Sequence, residues 1–185
     1  MPRRSDPKTP ERASSLEALT STERSAVLAW LLREHPELVV DAERFAVEIL
    51  SEPSIEQVAA DVEAALIDIE LDALGARVGH VRGRGYVNET EAAWELIEEV
   101  IAPFRSDLER RATLGHLDAA TKLAVGIVAG LYRVREPDIG TVVAYAGEES
   151  TAELAGGVVE LAERWGVTIP DDAGAAHWPA WIDLV

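Results

Sequence analysis

Residues 123 to 132 read LAVGIVAGLY, ten residues without a charge and with two glycines four apart. A helix made from such a segment is apolar on every side, so other helices must surround it. It is too short for a bilayer, which needs roughly 20 apolar residues. Gly126 and Gly130 therefore fit a buried helix approached closely by a neighbour rather than a membrane dimer. The stretch demands a bundle with a central helix, and the rest of the chain must supply the surrounding ones.

It does so with one capped, 3.6-periodic segment after another. Thr20 with Glu23 makes a capping-box pattern, followed by Val27, Leu28, Leu31 and Leu32 on one face as far as His35-Pro36. Pro36 can start a second helix through Val39, Val40, Phe45, Ile49 and Leu50. Ser54 with Gln57 opens a third, whose Ile55, Val58, Val62, Leu66 and Ile69 continue toward Leu74. Asn88 with Glu91 begins a long helix carrying Ala93, Leu96, Ile97, Val100, Ile101, Phe104 and Leu108, which Pro103 should kink or break and Gly115 should stop. Ser150 with Glu153 starts a last one ending near Trp165-Gly166. No run alternates apolar and polar residues over a convincing length, and no fixed-period repeat is present. The expectation is an all-α, irregular bundle of six or seven helices around one buried central helix. Residues 1–15 would be a disordered N-terminal tail, 16–166 a single helical domain, and 167–185 a C-terminal tail.

Charge and composition limit the function. The chain has 34 acids against 17 bases, a formal net charge of -17. Repulsion from such a surface disfavours duplex nucleic acid and anionic membranes and favours a basic protein partner. The absence of cysteine removes disulfides, thiolate metal sites and a cysteine nucleophile. MPRRSDPKTPERASS lacks an apolar core for a signal peptide or an anchor, so a cytoplasmic location is expected.

Residues 79 to 88, GHVRGRGYVN, interrupt the helical pattern with three glycines and two arginines. The glycine spacing fits neither a dinucleotide loop nor a Walker loop. What remains is Arg77, His80, Arg82 and Arg84 ahead of a helix N-terminus at Asn88, a candidate site for an anion or phosphate ligand. The alternative is a joint whose arginines pair with the protein's own glutamates, with Tyr86 and Val87 pinning it to the core.

Other chemistries lack their residues. LTSTERSAVLAWL is similar to the opening of a helix-turn-helix domain, which would make the chain a transcription regulator, but ELVVDAERFAVEIL is acidic where a DNA reader should be basic. No histidine follows a glutamate by three residues, so neither di-iron nor His-Glu-x-x-His chemistry is indicated, and no metal or cofactor is expected. Glu95 and Glu98 form an E-x-x-E pair without a matching acidic pair on another helix. No catalytic constellation can be singled out.

Residues 54 to 166 resemble the helical regions that follow SWIM-type zinc fingers in bacterial proteins, and uncharacterised stand-alone relatives of them. The resemblance rests on the apolar helix before the joint, Gly85-Tyr86-Val87, the long helix after it, and LGHLDAATKLAVGIVAGLY. The SWIM cysteines and histidine are absent here. No zinc or nucleic-acid role therefore carries over, and the resemblance implies a helical scaffold of unknown partner and supplies no site residues.

The tail PDDAGAAHWPAWIDLV places Trp178, Trp181 and Ile182 after an acidic, small-residue spacer. Indoles bury large areas, so these three residues are candidate interaction residues, docking either on the chain's own helices or into a neighbouring chain as a homodimer. The functional expectation is a helical scaffold or protein-protein interaction module, with an anion-binding protein or enzyme built on residues 77–84 as the alternative.

Overall fold

The computed structural model describes residues 15–184 except Glu52, Arg82, Arg84 and Glu148, and of residues 81 and 182–184 it describes the backbone only. The expected disordered tail falls almost wholly outside the described residues. Those described are all-α apart from one small hairpin. In chain order they form α1 (Ser21–Glu34), α2 (Val39–Ser51), α3 (Ile55–Ile67), α4 (Leu71–Arg77), β1 (Gly79–Val81), β2 (Gly85–Val87), α5 (Glu89–Thr113), α6 (Leu117–Arg133), α7 (Ser150–Arg164) and α8 (Ala173–His177). Short 3-10 turns cover Pro36–Leu38, Val142–Tyr145 and Pro179–Leu184. The described part thus has eight α-helices where six or seven were expected, because two of them are a single turn or two long.

The chain divides into two compact units, Met1–Ala46 and Val47–Val185. The first holds α1 and the start of α2. Its Thr20 cap is a complete capping box: the Thr20 hydroxyl accepts from Glu23 N at 3.3 Å, and Glu23 Oε2 accepts from Thr20 N at 2.8 Å. Yet neither α1 nor α2 buries a single side chain.

The second unit carries the core. The central helix expected at residues 123–132 is α6, buried continuously from Leu123 to Leu131 and enclosed by α3, α5 and α7. Its two glycines do what their spacing requires. A Cβ at Gly126 would stand 2.6 Å from Val58 Cβ, and one at Gly130 would stand 2.6 Å from Val62 Cβ and 2.8 Å from the Ala59 carbonyl. Arg133 then ties the two helices at one end, its Nη2 donating to Glu56 at 2.6 Å and its Nη1 to Glu63 at 3.4 Å.

Four expectations need correction. The third helix does not run on to Leu74: α3 stops at Ile67, residues 68–70 break the ladder, and α4 folds back so that Leu74 is buried against the core and α4 packs on α5. Pro103 does not break the long helix, because α5 is continuous through it with Ile97, Ile101 and Leu108 buried on both sides of the proline. Burial of that kind outweighs the ~3 kcal/mol proline penalty. Ser150 is not a cap; Glu149 precedes the helix, and the Ser150 hydroxyl donates to the Gly147 carbonyl at 2.8 Å. Finally, the glycine joint is a β-hairpin, with Gly79 opposite Val87 and His80 opposite Tyr86.

Candidate functional site

The hairpin and the first turns of α5 form the most distinctive surface of the second unit. Three-residue strands suffice here because positive φ at Gly83 (89°) and Gly85 (90°) turns the chain tightly enough for β1 to meet β2. Pleating sends alternate side chains to opposite faces. Val87 goes inward and is 2% exposed, while Tyr86 goes outward and is 62% exposed, so Tyr86 does not pin the joint to the core. Instead its ring meets His80 across the strands edge-on, centroids 5.5 Å apart.

The four expected anion-binding residues are not seen gathered. Arg77, at the end of α4, reaches across to α5: its Nη1 and Nη2 donate to the two carboxylate oxygens of Glu99 at 2.9 and 2.6 Å, and Glu95 lies 3.9 Å away. This bidentate pairing holds the Glu99 carboxyl below the usual glutamate range and pushes the Arg77 guanidinium higher still. One amide of the α5 N-terminus is likewise engaged, since Asn88 Oδ1 accepts from Glu91 N at 2.9 Å. His80 faces Tyr86. Arg82 and Arg84 lie outside the described residues.

Beside the hairpin the fold builds a different surface. An open groove of about 730 Å³ is lined by Tyr86, Asn88, Glu89, Thr90, Glu91 and Trp94. Thr90, Glu91 and Trp94 fall at i, i+1 and i+4 on the same side of the first α5 turns, and β2 brings Tyr86 to them. The exposed Tyr86 ring with the Glu89 carboxylate beside it suits a cation, through a ring face and a charge-assisted hydrogen bond. Sequence reasoning missed Trp94 and this use of Tyr86. The available signal was an indole standing next to the core positions Ala93, Leu96 and Ile97 rather than among them.

The tail residues lie on the chain's own helices. Trp178 is completely buried, with its indole Nε1 lacking a hydrogen-bond partner. The Trp181 ring stands edge-on to Tyr132 of α6 at 5.0 Å, and Tyr132 Oη accepts from Ala180 N at 3.3 Å. Arg135 covers the Tyr132 ring at 4.0 Å. Ile182, the third candidate, has its side chain outside the described residues.

No group of three or more metal-ligating side chains occurs among the described residues, and no helix there is long and apolar enough to cross a membrane. Comparison with protein-family models, with curated proteins and with solved structures finds no match.

Proposed function

We propose that this chain is a protein-protein interaction module that recognises a positively charged segment of a partner. The observation that carries the reading is the groove lined by Tyr86, Glu89 and Trp94 on a chain of net charge -17. A guanidinium stacked on an exposed ring contributes about 0.5–1 kcal/mol, and an exposed carboxylate up to about 1 kcal/mol. One arginine alone would therefore bind weakly, and useful affinity needs several contacts along a segment, helped by long-range attraction that speeds encounter. A scaffold of this kind agrees with what the SWIM-adjacent resemblance implies, and a cytoplasmic setting is part of the same proposal. The anion-site alternative has less support, because Arg77 is engaged by Glu99 and Asn88 caps the Glu91 amide of α5.

The test is calorimetric titration with a flexible arginine-glycine peptide. Saturable binding should weaken about two- to fivefold in Glu89→Gln and in Tyr86→Ala, both surface changes. Equal binding by wild type and both variants would remove the groove from the account.

A further inference from the structure

A cleft between α6 and the C-terminal segment is built from elements separate from the groove. We infer that it binds a small zwitterion with an apolar body, an α-amino acid with a large apolar side chain. The cleft measures about 530 Å³, within the roughly 300–1,000 Å³ of small-molecule sites. Its two walls are fixed to each other. The Thr121 hydroxyl of α6 donates to the Thr168 carbonyl at 3.3 Å, and Trp178, directly after α8, is completely buried. Ile55 at the start of α3, Val125 of α6, and Ala173 and Ala176 of α8 line the cleft with apolar surface.

Charge decides which small molecule fits. Asp118 and Lys122 line the cleft from α6, and Asp172 lines it from the residue before α8. Asp118 and Lys122 stand four residues apart, the spacing and order at which opposite charges on a helix ordinarily pair, yet they form no ion pair. Asp172 makes no side-chain cap to α8. Among the described residues none of these three side chains has a hydrogen-bond or ion-pair partner. Arg77, Arg111 and Arg133, by contrast, are each matched to a carboxylate of the chain. An anion would meet two carboxylates, and a cation would meet the Lys122 ammonium. A molecule with both charges turns each contact favourable: its carboxylate goes to Lys122, its ammonium to Asp118 and Asp172, and its side chain to Ile55, Val125 and Ala176. The three charges are exposed, so each contact contributes little, and buried apolar area must add to them.

The experiment follows amide chemical shifts of the isotope-labelled full chain during titration at about 0.15 M salt. The probes are L-phenylalanine, 3-phenylpropanoate without the ammonium, 2-phenylethylamine without the carboxylate, and glycine without the apolar body. Phenylalanine should shift Thr121, Lys122, Val125, Ala173 and Ala176 saturably, with a Kd of about 1–10 mM. Each of the other three should bind about two- to fivefold more weakly, or not saturate. Lys122→Met should weaken phenylalanine and phenylpropanoate about two- to fivefold and spare phenylethylamine. Asp118→Asn with Asp172→Asn should weaken phenylalanine and phenylethylamine and spare phenylpropanoate. The substituted side chains are exposed, and unchanged circular dichroism confirms that the variants fold. The inference is overturned by the absence of saturable shifts at these residues, or by any truncated probe binding as tightly as phenylalanine. Variants that weaken every probe alike, or none, overturn it too. Tyr86→Ala should leave phenylalanine binding unchanged, so the cleft and the groove can fail separately.

Discussion

Replacing Gly126 or Gly130 by alanine should destabilise the protein, against the usual effect of that change in a helix. Within α6, alanine in place of glycine gains about 1 kcal/mol of helix propensity. The added methyl would sit 2.6 Å from Val58 Cβ at position 126 and 2.6 Å from Val62 Cβ at position 130, with backbone carbonyls at 3.0 and 2.8 Å. Carbon atoms prefer about 3.5–4.0 Å, so each methyl overlaps its neighbour by about 1 Å. The neighbours cannot swing aside, because the clashing atoms are Cβ atoms of α3 and move only with its backbone. Overpacking of this kind costs about 1–3 kcal/mol, and the large overlap puts it at the upper end, leaving a net loss of about 1–2 kcal/mol per site. Since one outward shift of α3 would relieve both clashes, the double variant should lose less than the sum. Gly156 and Gly157 of α7 provide the control: a Cβ there meets nothing within 4 Å, so alanine should stabilise by about 0.5–1 kcal/mol. Urea denaturation measures all four at unchanged m-value. If Gly126→Ala and Gly130→Ala stabilise as the α7 variants do, the close α3–α6 approach is wrong.

Three further outcomes follow from the same contacts. Trp178→Ala should cost about 3–5 kcal/mol in denaturant titrations, whereas Trp178→Phe should cost far less, because it also removes a buried N–H that has no partner. Thr151→Val should raise stability by about 1 kcal/mol, since the buried Thr151 hydroxyl is likewise unpartnered and valine keeps the shape. The Arg77–Glu99 pair sets a pH dependence: the folded pKa of Glu99 is depressed below 4.5, so its contribution is present in full above that pH and disappears as pH falls through the depressed value. Stability curves of wild type and Glu99→Gln should therefore differ at neutral pH and converge in acid, and parallel curves would contradict the pairing.

The helices were legible because their signals are local. Thr20, Ser54 and Asn88 each accept from the backbone N–H three residues on, and the charge-free run with its glycines could only be a buried helix. What sequence could not supply depends on tertiary contact. The break at residues 68–70 exists because Leu74 must reach the core beside α5, although the apolar periodicity runs straight through it. The hairpin is too short to show alternation, and its outward Tyr86 and inward Val87 look alike until β1 is placed opposite. The groove needs β2 and α5 together, and no spacing along the chain announces that Tyr86 and Trp94 will line one surface.

The central claim, that an acidic helical module recognises a basic segment at one defined surface, is tested most directly by amide chemical-shift mapping. Titrating the isotope-labelled protein with the arginine-glycine peptide should shift a contiguous set centred on Tyr86 to Trp94, including the Trp94 indole N–H, with saturation at one equivalent. Shifts scattered over every acidic face in proportion to local charge, or none at Tyr86 to Trp94, would contradict it.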